Sequence, residues 1–440
     1  MMKKQLLLLL GSLLLLITLP SYADIDIVID KSGDDDSIAL LVAPFSGGTY
    51  AAKMKDILLN DLKRSGRFRF IADDATVEIS PLGGRLNPEV LKKMGTGFLI
   101  RGSTRPQGRA FVLETEVIDL NSGTKVAGFI TSYQPNTRRI AHQTADVIFK
   151  HLTGIRGAFD TRVAYVAANG GGNDRIYQLI VADADGYNPK PVVTSIEPIM
   201  SIDWSPQGDQ LVYVSFESGR PAIFIQNLRT GKRKLVSARK GINGAPAWSR
   251  DGQTLALSLS IEGNPEIYTL GLATGRLTRL THSRAIDTEP SWTANGQHIL
   301  FTSDRGGTPQ LYKIAVSGNG NTPPKRMTFT GNYNSDPSVI GDKVALIRRI
   351  SGKFRVAMMD ITSYEADIIS TGSLDESPSL APNGTMVLYE TRGQGRRHLL
   401  ATVSDNGRAR SVLHSPYADV GHPAWSPYLG NLRQSLNHNE

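Results

Sequence analysis

A short motif recurs through the second half of the chain at nearly constant spacing. It reads "DWSPQG" at 203–208 and "PAWSRDG" at 246–252, and further variants follow towards the end of the chain. One apolar position marks the motif each time: Trp204, Trp248, Trp292, Val339, Leu380 and Trp425. Successive marks lie 44, 44, 47, 41 and 45 residues apart. A period of about 40 to 50 residues is typical of repeat architectures, and it constrains the fold more than any other feature.

Each repeat carries the pattern of four short strands. After the marked position, a turn such as "SPQG" or "APNG" precedes an apolar run, as at 211–215. A second apolar run follows a polar gap, as at 222–228, and a short last run closes the unit, as at 234–236. Apolar runs bounded by turn residues predict β-strands. Four antiparallel strands in about 45 residues make one blade of a β-propeller.

The two ends of the repeat region complete one another. Residues 162–194 contain three strand patterns of a blade but lack the first, whereas 422–427 read as a first strand with no others after it. Together they predict a six-bladed all-β propeller closed by the C-terminal strand, an arrangement that leaves no open edge where the ring joins. The marked apolar positions are expected to pack between neighbouring blades, because Val339 and Leu380 replace tryptophan in two of them.

The residues before the propeller follow a different pattern. Helical spacing of apolar residues at 49–66 and 136–154 predicts two helices, and Asn87 followed by proline predicts a short third helix at 87–95. Apolar runs predict strands at 37–45, 67–71, 97–103, 110–120 and 124–133. The chain is therefore expected to be multidomain, with a small α/β N-terminal domain at 37–156, the propeller at 157–430 and a C-terminal tail at 431–440.

The first 23 residues have the pattern of a secretory signal peptide. Lys3 and Lys4 precede an apolar stretch at 6–19. A membrane anchor needs about 20 apolar residues, so this stretch is too short to be one. Small residues predict cleavage between Ala23 and Asp24. The sequence contains no cysteine, so lipid attachment at the cut and disulfide bonds are both excluded. We expect the mature chain in a bacterial periplasm, where nucleic acid is not a partner.

Residues 24–36 are expected to form a mobile N-terminal tail. Isoleucines alternate with acidic residues at its start, which predicts a strand, and Gly33 and a run of three aspartates follow. Two interpretations stay open: the segment is the first strand of the α/β domain, or it is a detachable strand that pairs with the sheet edge of another protein. The residues expected to bind such a partner are Asp24, Ile25, Asp26, Ile27, Val28, Ile29 and Asp30.

The sequence lacks the common motifs of catalytic and nucleotide-binding sites. It contains no Gly-x-Ser-x-Gly elbow, no Walker loop and no His-Glu-x-x-His pair. Its eight histidines show no metal-ligand spacing, so no metal and no cofactor are expected. Motifs cannot exclude a site assembled from several blades. A periplasmic propeller enzyme and a glycan- or solute-binding propeller therefore stay open as alternatives to a protein-binding scaffold.

Acidic residues recur just before the predicted first strand of the blades. The first strand of a blade is innermost, so we expect these segments to be loops that ring one mouth of the central channel, with proline fixing most of them. One interpretation is a binding surface for a partner with basic or amide groups, and the other is the capping of turns. The acidic residues are Glu197, Asp287, Glu289, Asp336, Asp375, Glu376 and Asp419.

The chain resembles the TolB family, periplasmic proteins of the Tol–Pal system of Gram-negative bacteria. The resemblance covers essentially the whole chain: a signal peptide, a small α/β domain and six blades with "WSPxG"-type turns. Its most specific parts are "LDESPSLAPNGTMVLYE" at 374–390 and "HPAWSPYLG" at 422–430.

The resemblance implies a non-enzymatic, monomeric scaffold that maintains outer-membrane integrity and supports cell division. The implied partners are the lipoprotein Pal at the propeller mouth, TolA at the N-terminal tail, other outer-membrane lipoproteins, and colicins. It also suggests that tail and mouth are coupled. The implied Pal contacts are Ile242, Asn243, Gly244, Ala245, Thr288, Glu289 and Pro290, and the residue pattern adds Glu197, Met200, Asp336, Asp375 and Glu376.

Overall fold

The computed structural model describes the backbone of residues 27–29 and the ranges 37–71, 79–87, 97–108, 110–133, 136–171, 174–317, 322–393 and 397–429. The signal peptide and its cleavage site, the aspartate run, the C-terminal tail and, beyond Asn87, the short helix at 87–95 are predictions that lie outside these residues. Within the described ranges, neither helix has the length and apolar character that crossing a membrane requires.

The N-terminal domain is a five-stranded sheet with two helices packed on one face. A short strand, β1, precedes it at Ile27–Ile29. The sheet has the order β3-β2-β4-β5-β6, in which β2 is parallel to both of its neighbours and the remaining pairs are antiparallel. The elements are β2 (Ile38–Val42), α1 (Thr49–Arg64), β3 (Phe68–Phe70), β4 (Phe98–Gln107), β5 (Ala110–Asp119), β6 (Lys125–Tyr133) and α2 (Thr137–Thr153).

The second helix shows how the local sequence fixes its ends. The Asn136 side chain accepts hydrogen bonds from the backbone N–H groups of Arg138 at 3.0 Å and Arg139 at 3.2 Å, which caps the first turn of α2. The helix stops at Gly154, whose left-handed φ of 74° is favourable for glycine. Between these ends, Ile140 and Ile148 are fully buried and pack against the sheet.

The rest of the described chain forms the six-bladed propeller that the repeat predicts. Blade one combines β30 (Asp419–Trp425) with β7 (Arg162–Asn169), β8 (Ile176–Asp183) and β9 (Lys190–Ser195). Blades two and three comprise β10 (Ile199–Trp204), β11 (Gln210–Ser215), β12 (Ala222–Asn227), β13 (Arg233–Ser237), then β14 (Asn243–Trp248), β15 (Thr254–Leu259), β16 (Glu266–Gly271) and β17 (Leu277–Arg279).

Blades four to six follow in chain order. Their strands are β18 (Asp287–Trp292), β19 (His298–Ser303), β20 (Gln310–Ala315), β21 (Lys325–Arg326), then β22 (Asn334–Ile340), β23 (Lys343–Ile350), β24 (Lys353–Asp360), β25 (Ala366–Ile368), and finally β26 (Glu376–Leu380), β27 (Met386–Arg392), β28 (His398–Ser404) and β29 (Ala409–Val412). In each blade neighbouring strands pair antiparallel, in sequence order for blades two to six and with β30 before β7 in blade one, and the innermost strand lines the channel.

The marked tryptophans pack between blades, as predicted. The indole of Trp204 donates to the carbonyl of Ala424 at 3.0 Å, and that of Trp292 donates to the carbonyl of Ala247 at 3.1 Å. Val339 and Leu380 are buried at the same place without such a bond. The marked position therefore requires a buried apolar side chain in every blade, and the indole hydrogen bond adds to this packing where tryptophan is present.

The ring closes between the two ends of the propeller sequence. Strand β30 pairs antiparallel with β7, with Asp419 opposite Ala168 and Trp425 opposite Val163. The indole of Trp425 donates to the Thr161 hydroxyl at 2.8 Å. Closure by the C-terminal strand, predicted from residues 162–194 and 422–427, is confirmed.

The α/β domain packs on one face of the propeller, against blades six and one. Arg67 forms an ion pair with Asp405 in the turn between the last two strands of blade six, at 2.7 Å to both carboxylate oxygens. Arg64 donates to the carbonyl of Ala184 in the corresponding turn of blade one at 2.7 Å. These turns lie at the opposite end of the blades from the loops that lead into the first strands. The α/β domain therefore leaves that second face uncovered. The predicted domain boundaries remain predictions.

The N-terminal strand β1 joins the propeller rather than the α/β sheet. It pairs antiparallel with β29, with Ile27 opposite Ser411 and Ile29 opposite Ala409, and so forms a fifth strand on blade six. The interpretation of this segment as the first strand of the α/β domain is wrong. The reason is geometric: β29 is the outermost strand of its blade and offers a free edge, which β1 covers. The other residues of the predicted tail lie outside the described ranges.

Candidate binding surface at the propeller mouth

The innermost strands carry one strained residue each, at the same place in all six blades. In every case the strand contains a bulge, and a non-glycine residue there has a left-handed φ between 43° and 54°. Such a φ is uncommon outside glycine, and strained residues of this kind cluster at binding sites. The six are Ser201, Ala245, Glu289, Asp336, Ser377 and His422.

Proline explains the bulge in five of the six blades. It follows the strained residue at Pro246, Pro290, Pro337, Pro378 and Pro423, whereas Ile202 takes that place in blade two. Because proline has no N–H to continue the ladder, the strand bulges around it and then resumes pairing. The prediction that the mouth residues stand in loops before the innermost strands is wrong for eleven of them, which lie within the strands: Met200, Asn243, Gly244, Ala245, Asp287, Thr288, Glu289, Pro290, Asp336, Glu376 and Asp419.

The bulges enclose a cavity of about 310 Å³ in the channel, lined by the strained residues and their neighbours. Two carboxylates meet in its wall. The side chain of Glu289 accepts hydrogen bonds from the Thr302 hydroxyl at 2.7 Å and from the backbone N–H of Asp336 at 2.9 Å. Burial raises the pKa of Glu289, and burial together with the Glu289 carboxylate raises the pKa of Asp336 well above its usual value. The channel wall therefore favours the protonated, hydrogen-bonding form of these groups.

Two of the predicted mouth acids are structural and do not face a partner. Asp287 is fully buried and its carboxylate bonds Arg305 at 2.7 Å. Asp375 is also fully buried and accepts from the Thr391 hydroxyl at 2.6 Å. Asparagine takes the equivalent place in the neighbouring blades, where Asn243 accepts from the Ser237 hydroxyl at 2.7 Å. For Asp375 the turn-capping interpretation is right, because its carboxylate also bonds the Ser370 hydroxyl in the loop before β26.

The remaining predicted residues divide between rim and channel. Glu197 and Glu376 are exposed. Asp419 forms an ion pair with Arg175. Asn243 and Pro290 are buried, so their side chains are not exposed to a partner as predicted. The predicted residues that are half-buried in the inner strands are Met200, Gly244, Ala245, Thr288, Glu289 and Asp336.

Exposed apolar side chains stand at the mouth, and sequence reasoning found one of them. The loops that lead into β10, β14 and β18 expose Ile196 by 78%, Ile242 by 49% and Ile286 by 50%. We call these three residues the apolar rim. The signal for Ile286 was present in the repeat, because it stands at the same distance before its marked tryptophan as Ile242 does.

Of the predicted tail-binding residues, the structure describes the backbone of Ile27, Val28 and Ile29. Asp24, Ile25, Asp26 and Asp30 lie outside the described ranges. The tail and the mouth use opposite edges of one sheet, because β1 pairs with the outermost strand of blade six and Glu376 begins its innermost strand.

Two family models match the chain. A model described as the TolB amino-terminal domain matches residues 25–126, and one described as the TolB beta propeller domain matches residues 149–429. The second model alone covers more than half of the chain, and its span contains all six blades.

Similar proteins of nearly the same length carry the same name. A Tol-Pal system protein TolB from Xanthomonas oryzae pv. oryzae is 49% identical, over 97% of this chain and 99% of the relative. Another from Xanthomonas euvesicatoria pv. vesicatoria is 49% identical, over 91% of this chain and 92% of the relative. The crystal structure of TolB from Acinetobacter baumannii superposes with a TM-score of 0.82 at 35% identity, covering 92% of this chain and 99% of that chain. The chain belongs to the TolB family of Tol-Pal system proteins.

Proposed function

We propose that the chain is a periplasmic scaffold that binds the lipoprotein Pal at the propeller mouth and TolA through its N-terminal tail. In this role it maintains outer-membrane integrity and supports cell division. The observation that carries the proposal is the apolar rim around the channel, on the face that the α/β domain leaves uncovered. Other outer-membrane lipoproteins and colicins are proposed to use the same face.

The apolar rim suits a protein partner better than a small solute. Exposed large apolar side chains gathered in one place mark interaction surfaces, and here three stand in the loops that lead into successive blades around one opening. Glu197 and Glu376 add carboxylates beside this surface. Acidic groups around an apolar centre favour a partner with basic or amide groups at its edge and give the contact its specificity.

The pairing of β1 supports a tail that exchanges partners. Three residues pair with β29 at the outer edge of blade six, and a strand so short contributes few backbone hydrogen bonds. The same backbone groups can pair with the sheet edge of another protein, which is a common mode of peptide recognition. We propose that TolA competes with β29 for this segment.

Blade six offers a physical route for coupling between tail and mouth. Strands β26 and β29 belong to one sheet, so covering its outer edge and contacting its inner edge act on the same four strands. Any coupling must be reciprocal in free energy, and typical values are about 1 to 3 kcal/mol. Deletion of residues 24–33 should therefore change the Pal dissociation constant by at least about fivefold. An unchanged constant in a folded deletion variant excludes coupling.

Calorimetric titration with the soluble domain of Pal tests the mouth assignment. The variant Ile242→Asp/Ile286→Asp places charge in the apolar rim and should weaken Pal binding by at least about tenfold. The matched control is Val126→Asp, because Val126 is 40% exposed on the α/β domain, away from the mouth. Equal loss in both variants, or no loss in the rim variant, contradicts the proposal.

A further inference from the structure

Three metal-ligating side chains meet on blade six, and the sequence gives no motif for them. Glu376 and Glu390 stand directly opposite one another on β26 and β27. His398 begins β28 and pairs with Arg392, so it lies diagonally across from Glu390. One ligand atom from each of the three side chains lies within 4.8 Å of the other two. The antiparallel ladder, rather than local spacing, brings them together.

The central carboxylate of this cluster is held from both sides of the blade interface. Glu390 is 7% exposed, and one of its oxygens bonds Nδ1 of His398. Its other oxygen accepts from the backbone N–H of His422 on blade one at 3.0 Å. The neighbouring Gly421 makes room for it, because a methyl group there would collide with the Glu390 carboxylate. Glu390 is therefore fixed in place at the interface between blades six and one.

The charges of the cluster call for a cation. Like charges directly opposite on neighbouring strands are unfavourable, and Glu376 and Glu390 occupy such a pair. Among the described residues, the ion-pair contact of Glu390 is with His398, and no lysine or arginine contacts it. Two carboxylates beside one imidazole therefore offer a divalent ion both negative charge and a nitrogen ligand.

We propose that Glu376, Glu390 and His398 form a binding site for a divalent transition metal of the Zn²⁺ type. Imidazole nitrogen and carboxylate oxygen are both Zn²⁺ ligands, at about 2.0 to 2.2 Å from the ion. Glu376 is exposed, so its carboxylate is accessible to an ion held by Glu390 and His398, and water would complete the shell. Such a site is one that histidine spacing in the sequence does not predict.

The metal would join three strands of blade six and, through Glu390, the first strand of blade one. It would therefore stabilise the packing of β30 against blade six. The mature, untagged chain, stripped of metal with a chelator, should bind one Zn²⁺ and unfold at a higher temperature in its presence, because an ion that binds the native state adds to its stability. Co²⁺ as a spectroscopic probe should show visible absorption bands from nitrogen and oxygen ligation.

Matched variants separate this site from adventitious binding. His398→Gln and Glu376→Gln should each weaken Zn²⁺ binding by at least about tenfold, because each removes one ligand. His282→Gln makes the same substitution at an exposed histidine and should bind as the unaltered chain does. Glu376→Gln alters an exposed side chain, so it keeps the test valid if His398→Gln does not fold.

Three results would overturn the proposal. They are no Zn²⁺ binding at about 100 µM of the ion, unchanged binding in both ligand variants, and Ca²⁺ bound as tightly as Zn²⁺. The titrations use the isolated chain and no partner. Failure of the metal site is therefore distinct from failure of Pal or TolA to bind.

Discussion

Replacement of Trp425 tests whether the C-terminal strand holds the ring closed. Trp425 is 5% exposed, packs in a cluster with Phe159 and Met386, and donates its indole hydrogen bond to Thr161 at 2.8 Å. Truncation of a buried tryptophan to alanine removes this burial and leaves a cavity, at a cost of about 4 kcal/mol. We therefore expect Trp425→Ala to lower the urea midpoint of the propeller strongly.

Trp425→Leu separates the contribution of apolar burial from that of the indole hydrogen bond. Leucine already fills the equivalent place in blade six, where Leu380 is 3% exposed. The leucine variant therefore keeps much of the burial and loses the indole hydrogen bond and part of the ring area, at about 2 kcal/mol. Trp292→Leu is the matched control, because it removes an indole bond between two blades that are continuous in the chain.

Urea unfolding followed by far-ultraviolet circular dichroism measures these losses, provided that the slope of the transition is unchanged. The free energy of unfolding is expected to be lowest for Trp425→Ala, higher for Trp425→Leu and highest for the unaltered chain. A loss below about 1 kcal/mol for Trp425→Ala would refute the reasoning, since a closing strand that contributes so little does not hold the ring.

Two further predictions concern the channel and the domain contact. Folding raises the pKa of Glu289 and of Asp336. These groups ionise in the unfolded chain from about pH 4, but in the folded chain they ionise only at higher pH, so the free energy of unfolding falls as the pH rises between the two. Glu289→Gln should therefore gain stability relative to the unaltered chain between about pH 4 and 7, by about 1 kcal/mol, and a constant difference in denaturation midpoint across that range contradicts this. A double-mutant cycle of Arg67→Ala and Asp405→Ala should give a coupling of about 1 kcal/mol, and strictly additive losses would show that the ion pair between the domains contributes nothing.

The propeller could be predicted from the sequence because its constraints are local and repeated. The number of blades follows from the fixed period and from the turn residues after each marked position. The closure follows from the incomplete unit at each end of the repeat region. The start of each innermost strand was missed for a physical reason. Pro290 and its equivalents suggest loops, whereas a bulge lets the strand continue on both sides of the proline.

The candidate site was harder to predict because exposure is a tertiary property. Asp287 and Glu289 are two residues apart, yet one is buried as a clamp and the other lines the channel. The replacement of Asp287 by Asn243 in the blade before it was a usable sign of a structural role. The partner of β1 could not be found from pattern, since it depends on which outer edge lies near the α/β domain. The cluster of Glu376, Glu390 and His398 arises from strand register alone.

Photo-cross-linking from the apolar rim tests the proposed role of the mouth most directly. A photoreactive residue at Ile242, in the full chain within intact cell envelopes, should cross-link to Pal, and the same residue at Val126 on the α/β domain should not. The two positions are similarly exposed, at 49% and 40%, so accessibility does not distinguish them. Cross-linking of Pal from Val126 and not from Ile242 would contradict the proposal that the mouth is the docking surface.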